Sequence, residues 1–247
     1  MIDMNDITIT PSALSGVIPA IPSKSHVHRM LICAALGDRP VKIKLSGTSE
    51  DIEATIRCLS ALGAKISRET ASITIEPIRE ITSSPLLDCG ESGSTLRFLI
   101  PVAAALGCKA GFTGSGRLPE RPLEPLLSQL EEHGVSFSSW RLPFEVSGRL
   151  KGGIFCLPGD ISSQYLTGIL LALPLTGGGE IRLLTPLQSR GYVDMTVSAM
   201  RRFGVEVGEG KKRYAVGAES KYASPGELEA EGDWSNAAFW LCAGALS

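Results

Sequence analysis

The sequence predicts a mixed α/β domain, α+β in class, assembled from three copies of one supersecondary unit. Two interleaved glycine series predict it. Gly63, Gly134 and Gly204 stand 71 and 70 residues apart, and Gly37, Gly107 and Gly177 are each 70 apart. Between them the same succession of an amphipathic and a uniformly apolar segment recurs, giving a unit of about 70 residues with two helices and several strands. Such a period is too long for a solenoid repeat and suits a building block of a symmetric domain.

The first glycine series closes amphipathic helices. Counting back from each glycine, apolar residues recur at −11, −7 and −4: Ile52, Ile56 and Leu59; Leu123, Leu127 and Leu130; Val193, Val197 and Met200. That stripe buries one helix face and ends at a C-terminal glycine. Alternating strand starts follow at Ala64-Lys65-Ile66, Val135-Ser136-Phe137 and Val205-Glu206-Val207. The second series closes residues 29–36, 96–106 and 165–175, which are apolar all round and read as buried helices. Strand patterns at 41–45, 72–75, 144–146 and 180–183 fill the gaps. A strand, a glycine, an acid and a hydroxyl-rich helix start recur at Gly90-Glu91-Ser92, Gly159-Asp160-Ile161-Ser162 and Gly232-Asp233-Trp234-Ser235. The third opens an apolar helix over 237–246, so the chain is expected to stop inside a fourth unit.

Composition narrows the function. With 247 residues, 43% hydrophobic and 20% charged, the chain is neither disordered, collagen-like nor coiled coil. Its longest apolar run, 98–106, is well short of the ~20 residues a bilayer span needs. Residues 1–6 lack a basic start before an apolar core, so no secretory leader and a cytoplasmic location are expected. Twenty-four Lys and Arg against 26 Asp and Glu leave a net charge of −2, and aromatics are only 6%. Neither bulk charge nor base stacking therefore favours nucleic acid, and charge does not favour an anionic membrane. Cys33, Cys58, Cys89, Cys108, Cys156 and Cys242 form no C-x-x-C pair, and His26, His28 and His133 no cluster. No metal site or disulfide framework is expected, and the thiols read as small core hydrophobes. His28 and His133 read as helix-surface residues.

Chemistry concentrates at the starts of the buried helices. These carry Pro22-Ser23-Lys24-Ser25-His26-Val27-His28-Arg29, Glu91-Ser92-Gly93-Ser94-Thr95-Leu96-Arg97 and Gly159-Asp160-Ile161-Ser162-Ser163-Gln164. Serines there cap helices. Small residues and cations at a free helix N-terminus also make an anion site, because amide N–H groups and the dipole both favour negative charge. Lys24 and Arg29 add a point charge and a planar fork suited to phosphate and carboxylate. Arg117 and Arg121 lie in a loop, Arg117-Leu118-Pro119-Glu120-Arg121-Pro122, with Pro122 expected as the first residue of the next helix.

Pro22-Ser23-Lys24-Ser25 with Arg29, Gly93 with Arg97, residues 117–122, Ser162-Ser163-Gln164, Ser189 with Tyr192, and Gly232-Asp233 together resemble the 3-phosphoshikimate 1-carboxyvinyltransferase family of the shikimate pathway. The resemblance runs from about residue 7 to the last residue. It implies a pseudo-threefold domain of βαβαββ units, half of a two-domain enolpyruvyl transferase, with helix N-termini facing an interdomain cleft. It implies that residues 23–231 form a complete substrate-binding domain, and that 1–22 and 232–247 are fragments of a second domain. Transfer of the enolpyruvyl group of phosphoenolpyruvate to the 5-hydroxyl of shikimate 3-phosphate, with release of phosphate, is the implied reaction.

By the same resemblance Lys24, Ser25 and Arg29 hold shikimate 3-phosphate, with Lys24 also touching phosphoenolpyruvate. Gly93 and Arg121 bind phosphoenolpyruvate. Ser162, Ser163 and Ser189 bind the shikimate phosphate with Tyr192 nearby, and Gln164 reaches both substrates. No cofactor, no metal and a monomer are implied. Glu91 departs from the family's usual asparagine, and helix capping is the simpler account of it, since Asp160 matches it. The acid–base carboxylates are expected outside this sequence, so the chain alone is expected to bind shikimate 3-phosphate weakly and turn over nothing. The alternatives are a non-catalytic shikimate 3-phosphate-binding domain and a relative acting on UDP-N-acetylglucosamine; the latter carries a loop cysteine that residues 117–121 lack.

Overall fold

The computed structural model describes residue 13 and residues 15–246. The reading of residues 1–6 for a leader, and residues 1–12 and 14 of the proposed N-terminal fragment, lie outside the described residues. The first unit comprises α1 (Lys24–Ala35), β1 (Val41–Lys44), α2 (Glu50–Leu62), β2 (Lys65–Glu69) and β3 (Ser72–Glu76). Next come β4 (Leu86–Asp88), α3 (Gly93–Leu106), β5 (Ala110–Thr113), α4 (Leu126–Glu132), β6 (Val135–Phe137) and β7 (Phe144–Gly148). The third unit is β8 (Ile154–Leu157), α5 (Ser163–Ala172), β9 (Gly179–Leu183), α6 (Arg190–Arg202), β10 (Val207–Gly210) and β11 (Arg213–Val216). Then follow β12 (Glu227–Glu229) and α7 (Trp234–Leu246).

Each unit makes one four-stranded sheet with the same wiring, in the orders β12-β1-β3-β2, β4-β5-β7-β6 and β8-β9-β11-β10. The first pair in each is parallel and the other two are antiparallel. The second and third units read βαβαββ. In the first the leading strand is β12, which returns from the end of the chain to lie beside β1, with Ile43 opposite Leu228. The strand before Gly232 thus completes the first unit, and α7 follows it. The crossing is pinned by a bridge between Pro22 and Gly232 and by the Ser23 amide donating to Glu231 O at 2.7 Å.

The helices form where their ends are satisfied and their apolar faces find cover. Hydroxyls of Ser23, Ser49, Ser92 and Ser162 accept from backbone amides in the first turns of α1, α2, α3 and α5. Gly63 ends α2 at φ 116°, where an added Cβ would stand 2.2 Å from Glu80 O. α1, α3 and α5 are buried along almost their whole length. At the α3–α5 crossing a Cβ on Gly168 would lie 2.3 Å from Arg97 O, so the close approach of the two helices depends on glycine.

Three expectations differ from this structure. α4 starts at Leu126, not Pro122: Pro125 stands at its N-cap position, and the residue before a proline disfavours helical backbone. Leu123 is buried nonetheless, so the stripe predicted its packing and not its conformation. His28 is fully buried, because α1 is covered by α2 on one side and α6 on another; only His133 of the two is partly exposed. Cys33, Cys58, Cys89 and Cys108 are buried free thiols as expected, but Cys156 is half-buried and Cys242 exposed. The tip at Lys211-Lys212 joins β10 and β11 as a hairpin. Among the described residues no helix is long and apolar enough to cross a membrane.

α7 is unlike the other helices. None of its residues is buried, and Trp234, Phe239 and Leu246 are 78%, 76% and 90% exposed. The extended segment beside it exposes Val17, Ile18 and Ile21.

Candidate functional site

The starts of α1, α3 and α5 come together with the start of α6 and the loop before α4. On α1, Lys24 is exposed and its Nζ lies 2.6 Å from Asp51 Oδ2 in the first turn of α2. Ser25 and Ser23 line a cavity of 340 Å³ with Ser189, Gly191, Tyr192 and Glu231. One turn below, Arg29 is only 2% exposed. Its guanidinium donates to Thr196 Oγ1 at 2.7 Å, Ser25 O at 2.6 Å, Tyr192 O at 3.0 Å and Thr167 Oγ1 at 3.3 Å. Arg29 thereby ties α1 to α5 and α6 and fixes the backbone at both Ser25 and Tyr192. Burial draws its pKa down to about 10, so it remains charged at neutral pH.

α3 begins at Gly93, and the space a side chain there would fill is taken by two guanidinium groups. An added Cβ would stand 2.8 Å from Arg97 Nη1 and 3.0 Å from Arg121 Nη1. Neither arginine has a carboxylate partner among the described residues' ion pairs. Arg97 instead donates to Gln164 Oε1 at 2.7 Å and to Pro122 O at 3.1 Å. Burial, with Arg121 adding repulsion, pulls the Arg97 pKa below its ordinary value, partly offset by Tyr165. Two cations converging on a helix N-terminus form a strongly anion-attracting point.

α5 is held to α3 through Gln164, whose amide nitrogen donates to Ser94 Oγ at 2.9 Å, and through Tyr165, whose hydroxyl donates to Pro122 O at 2.9 Å. Ser162 is the N-cap of α5, its hydroxyl accepting from the Gln164 amide at 3.2 Å, while Ser163 opens the helix, half-buried. At the start of α6 Ser189 adopts φ 55°, ψ 39°, a left-handed conformation unusual for a residue with a Cβ. It makes no cap bond and is exposed beside Tyr192, whose side chain is 46% exposed. Backbone held in such a region marks a position that the surroundings dictate.

All ten residues singled out in the sequence lie at these adjoining starts, but with different exposure. Lys24, Arg121, Ser189 and Tyr192 reach solvent, whereas Arg29 is enclosed. Glu91 does not cap α3. Ser92 does, and Glu91 Oε1 instead accepts from the Arg117 amide at 3.2 Å, holding the 117–121 loop. Asp160 likewise accepts from the Thr185 hydroxyl at 2.6 Å. Each acid lies too early in the chain to meet the first amides. Sequence reading gave no role to Asp51, Ser94 or Arg97. Arg97 was findable, since it lies one turn after Gly93 on the same face; the other two depend on contacts between distant segments. Among the described residues no group of three or more His, Cys, Asp or Glu is placed to hold a metal ion.

Known proteins resemble this chain in sequence and in fold. A family model described as EPSP synthase (3-phosphoshikimate 1-carboxyvinyltransferase) matches residues 9–247. Proteins named 3-phosphoshikimate 1-carboxyvinyltransferase from Clostridium beijerinckii and Clostridium kluyveri are each 40% identical over 99% and 98% of this chain. The chain spans 59% and 58% of their lengths. In fold, it is similar to EPSP synthase from Acinetobacter baumannii, with a TM-score of 0.78 at 24% identity over 92% of this chain and 52% of that one. The enolpyruvyl transferase NikO from Streptomyces tendae gives 0.69 at 17% identity, over 93% and 55%.

Proposed function

The chain belongs to the EPSP synthase family, and from that premise we propose that it supplies the shikimate 3-phosphate and phosphoenolpyruvate side of an enolpyruvyl transferase site. The observation that carries this reading is the pair of arginines over Gly93, Arg97 and Arg121, at the start of a buried helix, with Arg97 bonded to Gln164.

In this reading the cavity lined by Ser25, Ser189 and Tyr192 takes shikimate 3-phosphate, with Ser162 and Ser163 on its phosphate. Arg29 contributes through its charge and by fixing Ser25 and Tyr192. Phosphoenolpyruvate lies over Gly93 against Arg121, with Lys24 and Gln164 between the two ligands. The 5-hydroxyl gives up its proton as it attacks C2 of phosphoenolpyruvate and C3 gains one; the tetrahedral adduct then loses a C3 proton as it expels phosphate, which restores the C2–C3 double bond. Cations already in place stabilise that departing charge without reorganising, which is where this chain's residues lower the barrier. Of the carboxylates near the face, Asp51 pairs with Lys24, Glu91 accepts from the Arg117 amide and Asp233 from the Asn236 amide, while Glu231 lines the cavity. As the family resemblance implies, the acid–base groups in this reading belong to the part of the relatives' length that this chain does not span, and the chain alone binds ligand but does not turn it over.

The closure of β12 on β1 and the exposed α7 support residues 23–231 as one folding unit, with 15–22 and 232–246 reaching into a second. A monomer in the cytoplasm completes the reading. Calorimetric titration of the chain with shikimate 3-phosphate and, separately, UDP-N-acetylglucosamine tests it. Saturable heat with the first ligand only is expected; binding of the second only, or of neither, refutes it.

A further inference from the structure

His28 is buried beneath the proposed site and takes no part in the ligand contacts. With Thr55 on α2 and Ser92 and Thr95 at the start of α3 it forms a buried line; none of the four is more than 2% exposed. His28 Nδ1 lies 2.7 Å from Thr55 Oγ1, and Thr55 Oγ1 lies 2.7 Å from Thr95 Oγ1. The Thr95 hydroxyl donates to Ser92 Oγ at 2.7 Å and approaches Asp51 O at 3.4 Å. Ser92 Oγ also accepts from the Thr95 amide at 3.2 Å, the bond that caps α3. At the other end His28 Nε2 has no hydrogen-bond partner among the described residues, and the ring meets Phe98 edge-on at 6.3 Å.

The ring is neutral: burial draws its pKa to about 3, with the Arg29 and Lys24 charges adding to that and Asp51 opposing it. One nitrogen therefore carries a proton. An orphaned buried N–H is rarer than an acceptor left unpaired, which favours the proton on Nδ1. Each hydroxyl then acquires a direction, from His28 through Thr55 and Thr95 to Ser92.

We propose that His28 is a positioning residue for the anion-binding end of α3: protonated on Nδ1, it orients a hydroxyl relay through Thr55 and Thr95 that holds Ser92, and hence the turn carrying Gly93, in place. The consequence for ligand affinity rests on the proposed ligand reading; the relay itself does not.

Long-range proton–nitrogen NMR of the unaltered chain with labelled histidine reads the tautomer directly. A proton on Nδ1 is expected, and a proton on Nε2 overturns the proposal. Hydrogen exchange at the Thr95 amide gives a second readout. His28→Leu, which removes the donor, is expected to speed exchange there about tenfold, the weight of roughly one buried hydrogen bond. His28→Asn, whose amide nitrogen replaces Nδ1, should restore the slow rate. Unchanged exchange in His28→Leu, or no rescue by His28→Asn, contradicts the relay. Calorimetry with phosphoenolpyruvate should show His28→Leu about tenfold weaker and His28→Asn close to the unaltered chain; equal affinities overturn the positioning role. If the unaltered chain binds neither phosphoenolpyruvate nor shikimate 3-phosphate, the ligand reading fails, while the tautomer and exchange still decide the relay.

Discussion

Acidification will test whether His28 is as enclosed as the packing of α1 implies. The folded chain holds this imidazole near a pKa of about 3, against 6.5 for the unperturbed group, first because it is buried and then because Arg29 and Lys24 repel a proton. Between those two values the unfolded chain binds a proton that the folded chain refuses. Stability therefore rises with pH through this window, is fully present above the unfolded value, and is lost as pH falls towards the folded one. One such group contributes a slope approaching 1.36 kcal/mol per pH unit, or roughly 2.5 kcal/mol between about pH 6 and pH 4. Urea denaturation of the unaltered chain and of His28→Asn at several pH values isolates the contribution, because the carboxylates titrate alike in both. The unaltered chain should lose that much more stability over the interval. Parallel pH profiles would refute the burial of a neutral His28.

Other substitutions separate packing from binding. Gly93→Ala places a Cβ against the ends of two flexible arginine side chains, so the fold should survive, with a stability change under about 1 kcal/mol. Affinity for phosphoenolpyruvate should nonetheless fall, measured by melting temperature beside calorimetry. Gly168→Ala meets backbone instead, at Arg97 O, and should cost about 1–3 kcal/mol in chemical denaturation by forcing α3 and α5 apart. Ser162→Ala removes the N-cap of α5 and should cost about 1 kcal/mol by the same measurement.

Local chemistry was legible in the sequence and long-range pairing was not. The glycine periods and helix stripes predicted the three units because C-caps and amphipathic faces are written within a single turn or two. β12 carries no signal that it belongs beside β1, since residues 42 and 227 meet only through the closure of the whole fold. His28 reads as a surface residue because Ser-His-Val-His-Arg is polar; its burial follows from α2 and α6 covering α1 on different sides. The candidate site divides in the same way. Helix-start serines, Lys24, Gly93 and Gln164 stand out by type and position. The Lys24–Asp51 and Gln164–Ser94 contacts join segments 27 and 70 residues apart.

The central claim is that the starts of α1, α3, α5 and α6 form one ligand surface. Shikimate 3-phosphate added to the isotope-labelled chain, with amide shifts followed by NMR, tests it most directly. Saturable shifts should concentrate at Ser25, Ser163, Ser189 and Tyr192, and the hairpin tip at Lys211 and Lys212 should stay unmoved. Shifts centred on that hairpin, or no saturable shift at the helix starts, would contradict the account.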